Sequence, residues 1–97
     1  MGRPAQALVM HEKDNVATAL KPFDKGTIVP LEVQGRMEKL TLMSDVPMGH
    51  KFALKDLEQG EAVIKYGESI GQSTARINRG EHVHVHNMMS QTRGELR

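Results

Sequence analysis

Several short stretches of the chain alternate apolar and polar residues with a period of two. Residues 61–66 and 37–43 follow this pattern, which is typical of half-buried β-strands. Further strands are predicted at residues 6–11, 27–33, 50–54, 74–77 and 81–86. Turns rich in glycine separate these runs, and no internal repeat is apparent. The pattern therefore predicts a mostly β fold of about six to eight short strands.

One segment near the N-terminus departs from this alternation. Val16, Ala19 and Leu20 recur at helical spacing, and Asp14 or Asn15 is a suitable N-cap residue. Lys21-Pro22 would end the helix after about two turns, because the residue before a proline disfavours helical geometry. We therefore predict one short helix near the N-terminus, docked on the sheet.

Three of the five histidines lie within residues 80–87, Gly-Glu-His-Val-His-Val-His-Asn. Side chains of an extended strand alternate between faces, so His82, His84 and His86 are predicted to share one face. Imidazole is a common metal ligand and transfers protons near neutral pH. Two strand neighbours do not complete a catalytic zinc-type site, which uses three protein ligands. The alternative is a solvent-facing polar row on an edge strand.

Other polar residues are candidates for the same chemistry. His50 and Lys51 follow Gly49, where a ligand can approach the backbone and a lysine supplies a point charge for a carboxylate. Asn87 ends the histidine segment with a donor and an acceptor for a hydroxyl or a carboxylate. A third metal ligand could come from His11, His50 or a partner chain. The candidates outside the histidine segment are His11, Asp14, Asn15, His50, Lys51 and Lys65; their alternative roles are strand ends and ordinary capping.

Composition narrows the classes of function. The 97 residues suit one small domain. The net charge is +1 and the aromatic residues are one Tyr and two Phe, so neither a basic stripe nor a stacking surface for nucleic acid is expected. Cysteine is absent. No apolar run near the N-terminus has the length of a signal peptide or a membrane span, so we expect no membrane association and a cytoplasmic location.

Four segments of the sequence, taken in order, resemble one known family. They are Asp-Asn-Val-Ala-Thr-Ala-Leu at residues 14–20, Gly-His-Lys-Phe-Ala-Leu at 49–54, Val-Ile-Lys-Tyr-Gly-Glu-Ser-Ile-Gly at 63–71 and Gly-Glu-His-Val-His-Val-His-Asn at 80–87. Over about residues 8–94 the chain is similar to the SAF-type domain at the N-terminus of altronate and galactarate dehydratases. The same domain occurs as a separate small chain, the alpha subunit of sulfolactate sulfo-lyase.

The resemblance implies a β-clip fold over residues 8–87, after a disordered N-terminus at residues 1–7. It also implies a flexible tail or linker at residues 88–97, similar to the linker that leads into the large catalytic domain of fused members.

The same resemblance implies the small subunit or N-terminal domain of a sugar-acid dehydratase of the altronate type. Such an enzyme eliminates water from a polyhydroxy carboxylate, and this chain would be active only with a large catalytic chain. Family members use a divalent metal, commonly iron(II) or manganese, which either His84 and His86 or mainly the partner chain would hold. The carried-over roles are catalytic for His11, His84 and His86, and substrate-binding for Asp14, Asn15, His50, Lys51, Lys65 and Asn87. His82 is expected to be a bystander.

Two alternatives stay open beside this reading. The first is the small subunit of a sulfolactate sulfo-lyase, in which sulfite rather than water leaves. The second is a non-catalytic carbohydrate-binding β-clip module. Homo-oligomer formation is compatible with all three.

Overall fold

A computed structural model of the protein describes residues 6–90, which form nine short β-strands. The strands are β1 (Ala7–Leu8), β2 (Val16–Ala19), β3 (Ile28–Val33), β4 (Arg36–Thr41), β5 (Lys51–Ala53), β6 (Ala62–Lys65), β7 (Glu68–Ser73), β8 (His82–Val83) and β9 (Met88–Ser90). The predicted mostly β fold is confirmed. Over these residues no helix is long and apolar enough to cross a membrane.

A four-stranded antiparallel sheet in the order β1-β2-β5-β8 forms the centre of the fold. Strands β3 and β4 form a separate hairpin, and β6 and β7 form a second hairpin to which β9 adds a third strand. In the central sheet β2, β5 and β8 are distant from one another in sequence, whereas the strands of each hairpin are adjacent. The central sheet thus ties together segments from the whole described chain.

The central sheet separates two hydrophobic cores. Neighbouring residues of a strand point to opposite faces, so Ala17 and Phe52 belong to the first core while Val16, Ala53 and Val83 belong to the second. The first hairpin covers one face and the second hairpin covers the other. The first hairpin contributes Val29, Leu31 and Leu40 to the first core. Val63 from β6 and Met88 from β9 belong to the second core.

The short helix predicted near the N-terminus is wrong, because residues 16–19 form strand β2. This strand lies between β1 and β5, and three of its four residues are buried. A strand covered on both faces loses the apolar–polar alternation that identifies a half-buried strand. The apolar residues of this segment therefore also fit helical spacing, which led to the prediction of a helix.

Among residues 6–90, a four-residue turn with glycine at its third position occurs four times, at residues 24–27, 47–50, 58–61 and 78–81. In each turn the amide of the fourth residue donates to the carbonyl of the first at 3.0–3.1 Å, and the third residue is a glycine with φ between 84° and 91°. Each of these glycine amides also donates to a distant carbonyl at 2.8 Å. The recurrence is structural and does not appear as an internal repeat in the sequence, because only an apolar residue and a glycine recur in each copy.

The apolar residues that precede the turns pair with one another. Phe23 and Val46 exchange two backbone hydrogen bonds of 2.9 Å, and Leu57 and Ile77 do the same at 2.7 and 2.9 Å. Each pair of turns flanks one hairpin, so the first hairpin and the second hairpin occupy equivalent places. The fold is thus built from two similar halves that share the central sheet.

The two hairpins also end in the same kind of tip. Gln34 and Gly35 join β3 to β4, and Tyr66 and Gly67 join β6 to β7, with positive φ at all four residues. Two positive φ values in succession are the geometry of a type I′ turn, whose twist matches that of the flanking strands.

The C-terminal boundary lies beyond the predicted one. Residues 88–90 were expected to belong to a flexible tail, yet they form β9, in which Met88 pairs with Ser73 and is buried. The rest of the predicted tail, at residues 91–97, and most of the predicted disordered N-terminus, at residues 1–5, lie outside the described residues.

Candidate functional site

The register of the central sheet brings the histidine segment beside His50. Strand β5 pairs with β8 so that Phe52 lies opposite His82, and residues opposite each other share a face. His50 comes two residues before Phe52 and lies on the same face. As a result, the His50 Nδ1 atom is 2.9 Å from the His82 Nε2 atom, although the two residues are separated by 32 positions in sequence.

His84 completes a cluster of three stacked imidazoles. The centroid of its ring lies 4.0 Å from that of His50 and 5.6 Å from that of His82, with interplanar angles of 16° and 10°. One ring nitrogen from each of the three histidines lies within 4.8 Å of the others. We call His50, His82 and His84 the imidazole cluster.

A tight turn, rather than a continued strand, places His84 and His86. Strand β8 ends at Val83, and the amide of Asn87 donates to the carbonyl of His84 at 3.0 Å. The Asn87 side chain accepts from the His84 amide at 2.9 Å and donates to the His82 carbonyl at 2.8 Å. The predicted strand over residues 81–86 is therefore too long, and Asn87 holds the histidine segment in its bent shape.

His86 lies at the border of the cluster. Its ring centroid is 5.0 Å from that of His82, and the two rings are tilted by 37°. It is exposed, whereas the three members of the imidazole cluster are half-buried. His82, the expected bystander, thus contacts the rings of three other histidines.

Burial and neighbouring basic groups lower the pKa of two members of the cluster. Burial lowers the pKa of His82 to about 4, and the positive charges of His86, His50, His84 and Lys51 add to the effect. The pKa of His84 is lowered as well, first by burial and then by His50, Lys51 and His86. Both side chains are therefore uncharged at neutral pH, the form in which imidazole accepts a proton or binds a metal.

Lys51 adds a desolvated cation beside the imidazoles. It is half-buried on β5, and burial together with the charge of Lys65 lowers the pKa of its ammonium group. None of the ion pairs formed among residues 6–90 includes Lys51. A cation without an acidic partner, surrounded by basic groups, favours an anionic ligand such as a carboxylate.

The imidazole cluster has the donor chemistry of a transition-metal site. Imidazole nitrogens suit zinc, iron, copper and nickel, whereas manganese, like magnesium and calcium, is better matched by carboxylate, carbonyl and water oxygens. Of the two metals implied by the family resemblance, iron(II) fits these residues better. His50, His82 and His84 would hold it, and it would act as a Lewis acid toward a bound carboxylate.

The predicted residues near the N-terminus lie in a different environment. His11 is exposed and sits against the second hairpin's tip, where a Cβ atom on Gly67 would lie 3.0 Å from its ring. Asp14 is buried, and its carboxylate accepts from the amides of Gly67 at 2.8 Å and Met10 at 3.1 Å.

Asn15 also binds the backbone of the second hairpin, at β6. Its side chain accepts from the Ile64 amide at 2.8 Å and donates to the Ala62 carbonyl at 2.9 Å. The contacts of Asp14 and Asn15 therefore join the start of β2 to the second hairpin. Their predicted role in substrate binding stays a prediction.

An open cavity of about 700 Å³ lies between the N-terminal segment and the first hairpin. No member of the imidazole cluster borders it, and its polar lining consists of Gln6, His11, Glu12, Glu32 and Gln34. The cavity reaches Gln6, where the described part of the chain begins. We place the candidate site at the imidazole cluster, because that is where groups of matching chemistry converge.

The structure thus gathers most, but not all, of the predicted site residues. Those at or beside the cluster are His50, Lys51, His84, His86 and Asn87, while Lys65 is linked to Lys51 by charge. Sequence reasoning assigned no role to His82, because its partner His50 is far away in the chain and the strand register cannot be deduced from spacing. The signals available were the alternating row of three histidines and the presence of five histidines in so small a protein.

Comparison with known proteins places this chain in a defined family. Residues 5–91 match the family described as the altronate/galactarate dehydratase SAF domain. Altronate dehydratase of Escherichia coli K12 is 48% identical over 82 residues, which are 84% of this chain and 16% of that protein. Galactarate dehydratase (L-threo-forming) of the same organism is 36% identical over 73 residues, or 13% of its length.

A relative of a different kind is the alpha subunit of (2R)-sulfolactate sulfo-lyase of Chromohalobacter salexigens. It is 46% identical over 55 residues, which cover 57% of this chain and 58% of that subunit. This chain therefore spans only a small part of the two dehydratases and more than half of the sulfo-lyase subunit. Because the family match covers all of the described residues, the chain belongs to the altronate/galactarate dehydratase SAF domain family.

Proposed function

We propose that this chain is the SAF-domain part of a sugar-acid dehydratase of the altronate type. The enzyme would eliminate water from a polyhydroxy carboxylate. The observation that carries the proposal is the imidazole cluster beside Lys51, within a sequence 48% identical to part of an altronate dehydratase.

The chemistry of the cluster suits such an elimination. A base must remove a proton from the carbon next to the carboxylate, and the resulting enediolate must be stabilised. A neutral imidazole can accept that proton, and the Lys51 ammonium can stabilise the negative charge. The hydroxyl group on the adjacent carbon leaves as water after it takes a proton from a second acid, and the enol that remains rearranges to a keto acid.

We further propose that the chain is inactive without a large catalytic chain or domain. It spans 16% of the E. coli altronate dehydratase, so most of that enzyme has no counterpart in this chain. The imidazole cluster lies at β8, the last strand of the central sheet, where a second protein surface can reach it. A small sugar acid as substrate, a cytoplasmic location and possible homo-oligomer formation belong to the same proposal.

A sulfolactate sulfo-lyase subunit is the second candidate. The alpha subunits of this class are 46% and 51% identical to the chain over 55 and 49 residues, and the match covers 58% and 73% of those subunits. The same base and cation would serve both reactions, which differ in whether water or sulfite leaves. A carbohydrate-binding module would not need the imidazole cluster, and we therefore rank it last.

The test is reconstitution of the 97-residue chain with a large dehydratase chain in the presence of iron(II). We expect formation of a keto acid from altronate or galactarate, and no sulfite release from sulfolactate. His84→Ala should lower the rate by about 100-fold or more, because general acid–base groups contribute about that much. The control is Lys39→Ala, which removes an exposed cation from β4.

Two results would contradict the proposal. Unchanged rates in both the His84→Ala and the His86→Ala enzymes would exclude a catalytic role for the histidine segment. Sulfite release from sulfolactate without any dehydration of sugar acids would assign the chain to the second candidate.

A further inference from the structure

We propose that His50, His82 and His84 form a binding site for a divalent transition metal on this chain itself. The predicted metal ligands were His84 and His86, with the possibility that the partner chain holds the ion. The proposal deepens the proposed function and rests on it for the role of the ion. Its evidence, however, is the geometry of the imidazole cluster.

The nitrogen positions are close to those of a three-imidazole site. Metal–nitrogen bonds of about 2.0–2.1 Å in a tetrahedral site place the ligand nitrogens roughly 3.3–3.4 Å apart. The His50 and His82 nitrogens are 2.9 Å apart, and all three nitrogens lie within 4.8 Å of one another. The first distance is shorter than the required value and the second is an upper limit, so the three rings would have to rotate for their nitrogens to converge on one ion.

The hydrogen bond between His50 and His82 is compatible with metal binding. One of the two facing nitrogens carries the shared proton, and the other accepts it. When an ion takes the place of that proton, the donor ring moves its hydrogen to its other nitrogen, and no proton is lost from the ring. The hydrogen bond therefore holds two ligand atoms near each other until the ion replaces it.

The charges around the cluster indicate which fourth ligand a bound ion would have. The charged groups that act on His82 are His50, His84, His86 and Lys51, all of them basic. Three protein ligands leave the fourth position of a tetrahedral ion open, as in catalytic zinc sites. Neighbouring positive charge favours an anion at that position, such as hydroxide or the carboxylate of a hydroxy acid.

Asn87 is a positioning residue for two of the three ligands. It binds the amide of His84 and the carbonyl of His82 through its side chain, and it would not touch the ion. Groups that orient metal ligands typically contribute about 10-fold to 100-fold to metal affinity. Asn87→Ala should therefore weaken metal binding by about 10-fold although all three imidazoles remain.

The direct test is titration of the chelator-treated 97-residue chain with Zn²⁺, followed by calorimetry, and with Co²⁺, followed by visible absorption. We expect one ion per chain and a Co²⁺ spectrum typical of four-coordinate nitrogen ligation. His50→Ala and His82→Ala should each weaken binding by more than about 10-fold. The matched controls are His11→Ala, which removes an imidazole next to Gly67, and Asn78→Ala, which removes an exposed amide; both should bind as the original protein does.

If a variant does not fold, nuclear magnetic resonance of the unmodified protein still tests the proposal. Addition of Zn²⁺ should shift the ring signals of His50, His82 and His84 and leave those of His11 in place. Absence of metal binding would overturn the proposal. So would loss of binding in His86→Ala with full binding in His50→Ala, since other ligands would then hold the ion.

The outcome also separates this proposal from the proposed function, because binding is measured without substrate or a second chain. If no ion binds but the reconstituted enzyme loses activity in the His84→Ala variant, only the metal site is wrong. If an ion binds and the reconstituted enzyme neither dehydrates sugar acids nor depends on His84, only the function is wrong.

Discussion

At the scale of single residues, His82 shows how burial and charge decide the state of a side chain. Three other imidazole rings surround it, and its Nε2 atom faces the Nδ1 atom of His50. The burial and the neighbouring cations together lower its pKa to about 4. Protonation of His82 would add a positive charge in a half-buried place, beside Lys51 and three other basic side chains. The folded protein therefore resists that protonation.

This lowered pKa predicts how stability depends on pH in the metal-free protein. In the unfolded chain a histidine titrates near pH 6.5, so the unfolded state takes up a proton at a higher pH than the folded state does. Stability is therefore greatest above about pH 6.5 and falls as the pH is lowered toward about 4. The melting temperature, measured by circular dichroism with a chelator present, should decrease over this range.

The variant His82→Gln should lose much of that pH dependence, whereas His11→Gln should keep it because His11 lies outside the imidazole cluster. A ring titration followed by nuclear magnetic resonance gives the pKa of His82 directly. A value at or above the ordinary 6.5 would contradict the account.

Asn15 is a second residue whose effect can be predicted, in this case on stability alone. Its buried amide satisfies the Ile64 amide and the Ala62 carbonyl. Asn15→Ala leaves both groups without these partners, so we expect a loss of about 2 kcal/mol in the free energy of unfolding by urea. The exposed Asn78→Ala serves as the matched control, with an expected loss below about 0.5 kcal/mol. Equal losses in the two variants would show that Asn15 does not hold β2 to the second hairpin.

Sequence spacing identified which single residues could take part in catalysis or metal binding, but not which residues contact one another. It singled out the histidine segment and His50, and the structure brings His50, His82 and His84 together. It did not show which imidazoles face one another, because the contact between His50 and His82 depends on the pairing of β5 with β8. It also did not reveal that Asp14 and Asn15 bind backbone groups of a hairpin about 50 positions later. Their role in substrate binding, which the family resemblance implies, stays a prediction.

At the scale of elements, the four equivalent turns explain the spacing of glycines. Gly26 and Gly80 both have φ of +91°, a conformation that other residues rarely adopt. They differ in their surroundings. A Cβ atom on Gly80 would overlap the Thr41 carbonyl oxygen, whereas one on Gly26 would meet nothing within 4 Å.

The two glycines therefore form a matched pair for substitution. Gly26→Ala should cost about 1–2 kcal/mol of unfolding free energy, which is the cost of the backbone conformation alone. Gly80→Ala should cost roughly 3 kcal/mol or more, because the added methyl group also displaces the backbone at Thr41. Urea denaturation of both variants measures the difference. Equal losses would mean that the backbone at Thr41 yields without cost.

Strands with one exposed face could be predicted from the sequence. A strand with both faces buried could not. The hairpin of β3 and β4 follows its alternating pattern closely, and Pro30 lies in a two-stranded sheet, where a missing amide is tolerated. Strand β2 is buried on both faces and was mistaken for a helix. Strand β8 ends early because of the hydrogen bonds of Asn87, which no periodicity reveals.

At the scale of the whole molecule, the central sheet belongs to both cores. Phe52 packs in the first core and its neighbour Ala53 packs in the second. A substitution that displaces β5 in one core therefore also disturbs packing in the other. The two similar halves therefore cannot unfold independently. We expect a single cooperative transition for the described fold.

Substitutions in either core should shift that one transition. Leu40→Ala in the first core and Leu57→Ala in the second should each cost about 2–5 kcal/mol. The fluorescence of Tyr66, at the tip of the second hairpin, and far-ultraviolet circular dichroism should report the same urea midpoint in both variants. A separate Tyr66 transition in Leu40→Ala would show that the halves are independent.

The order β1-β2-β5-β8 also has a consequence for the rate and sequence of folding. The strands of each hairpin are joined by two residues, whereas β2, β5 and β8 are separated by about 30 residues each. Local contacts form at a smaller loss of chain entropy, so the hairpins should precede the central sheet during folding. In stopped-flow measurements, Val63→Ala in β6 should slow folding and Val83→Ala in β8 should mainly speed unfolding. The imidazole cluster would then be assembled late, when its edge strand finally joins the sheet.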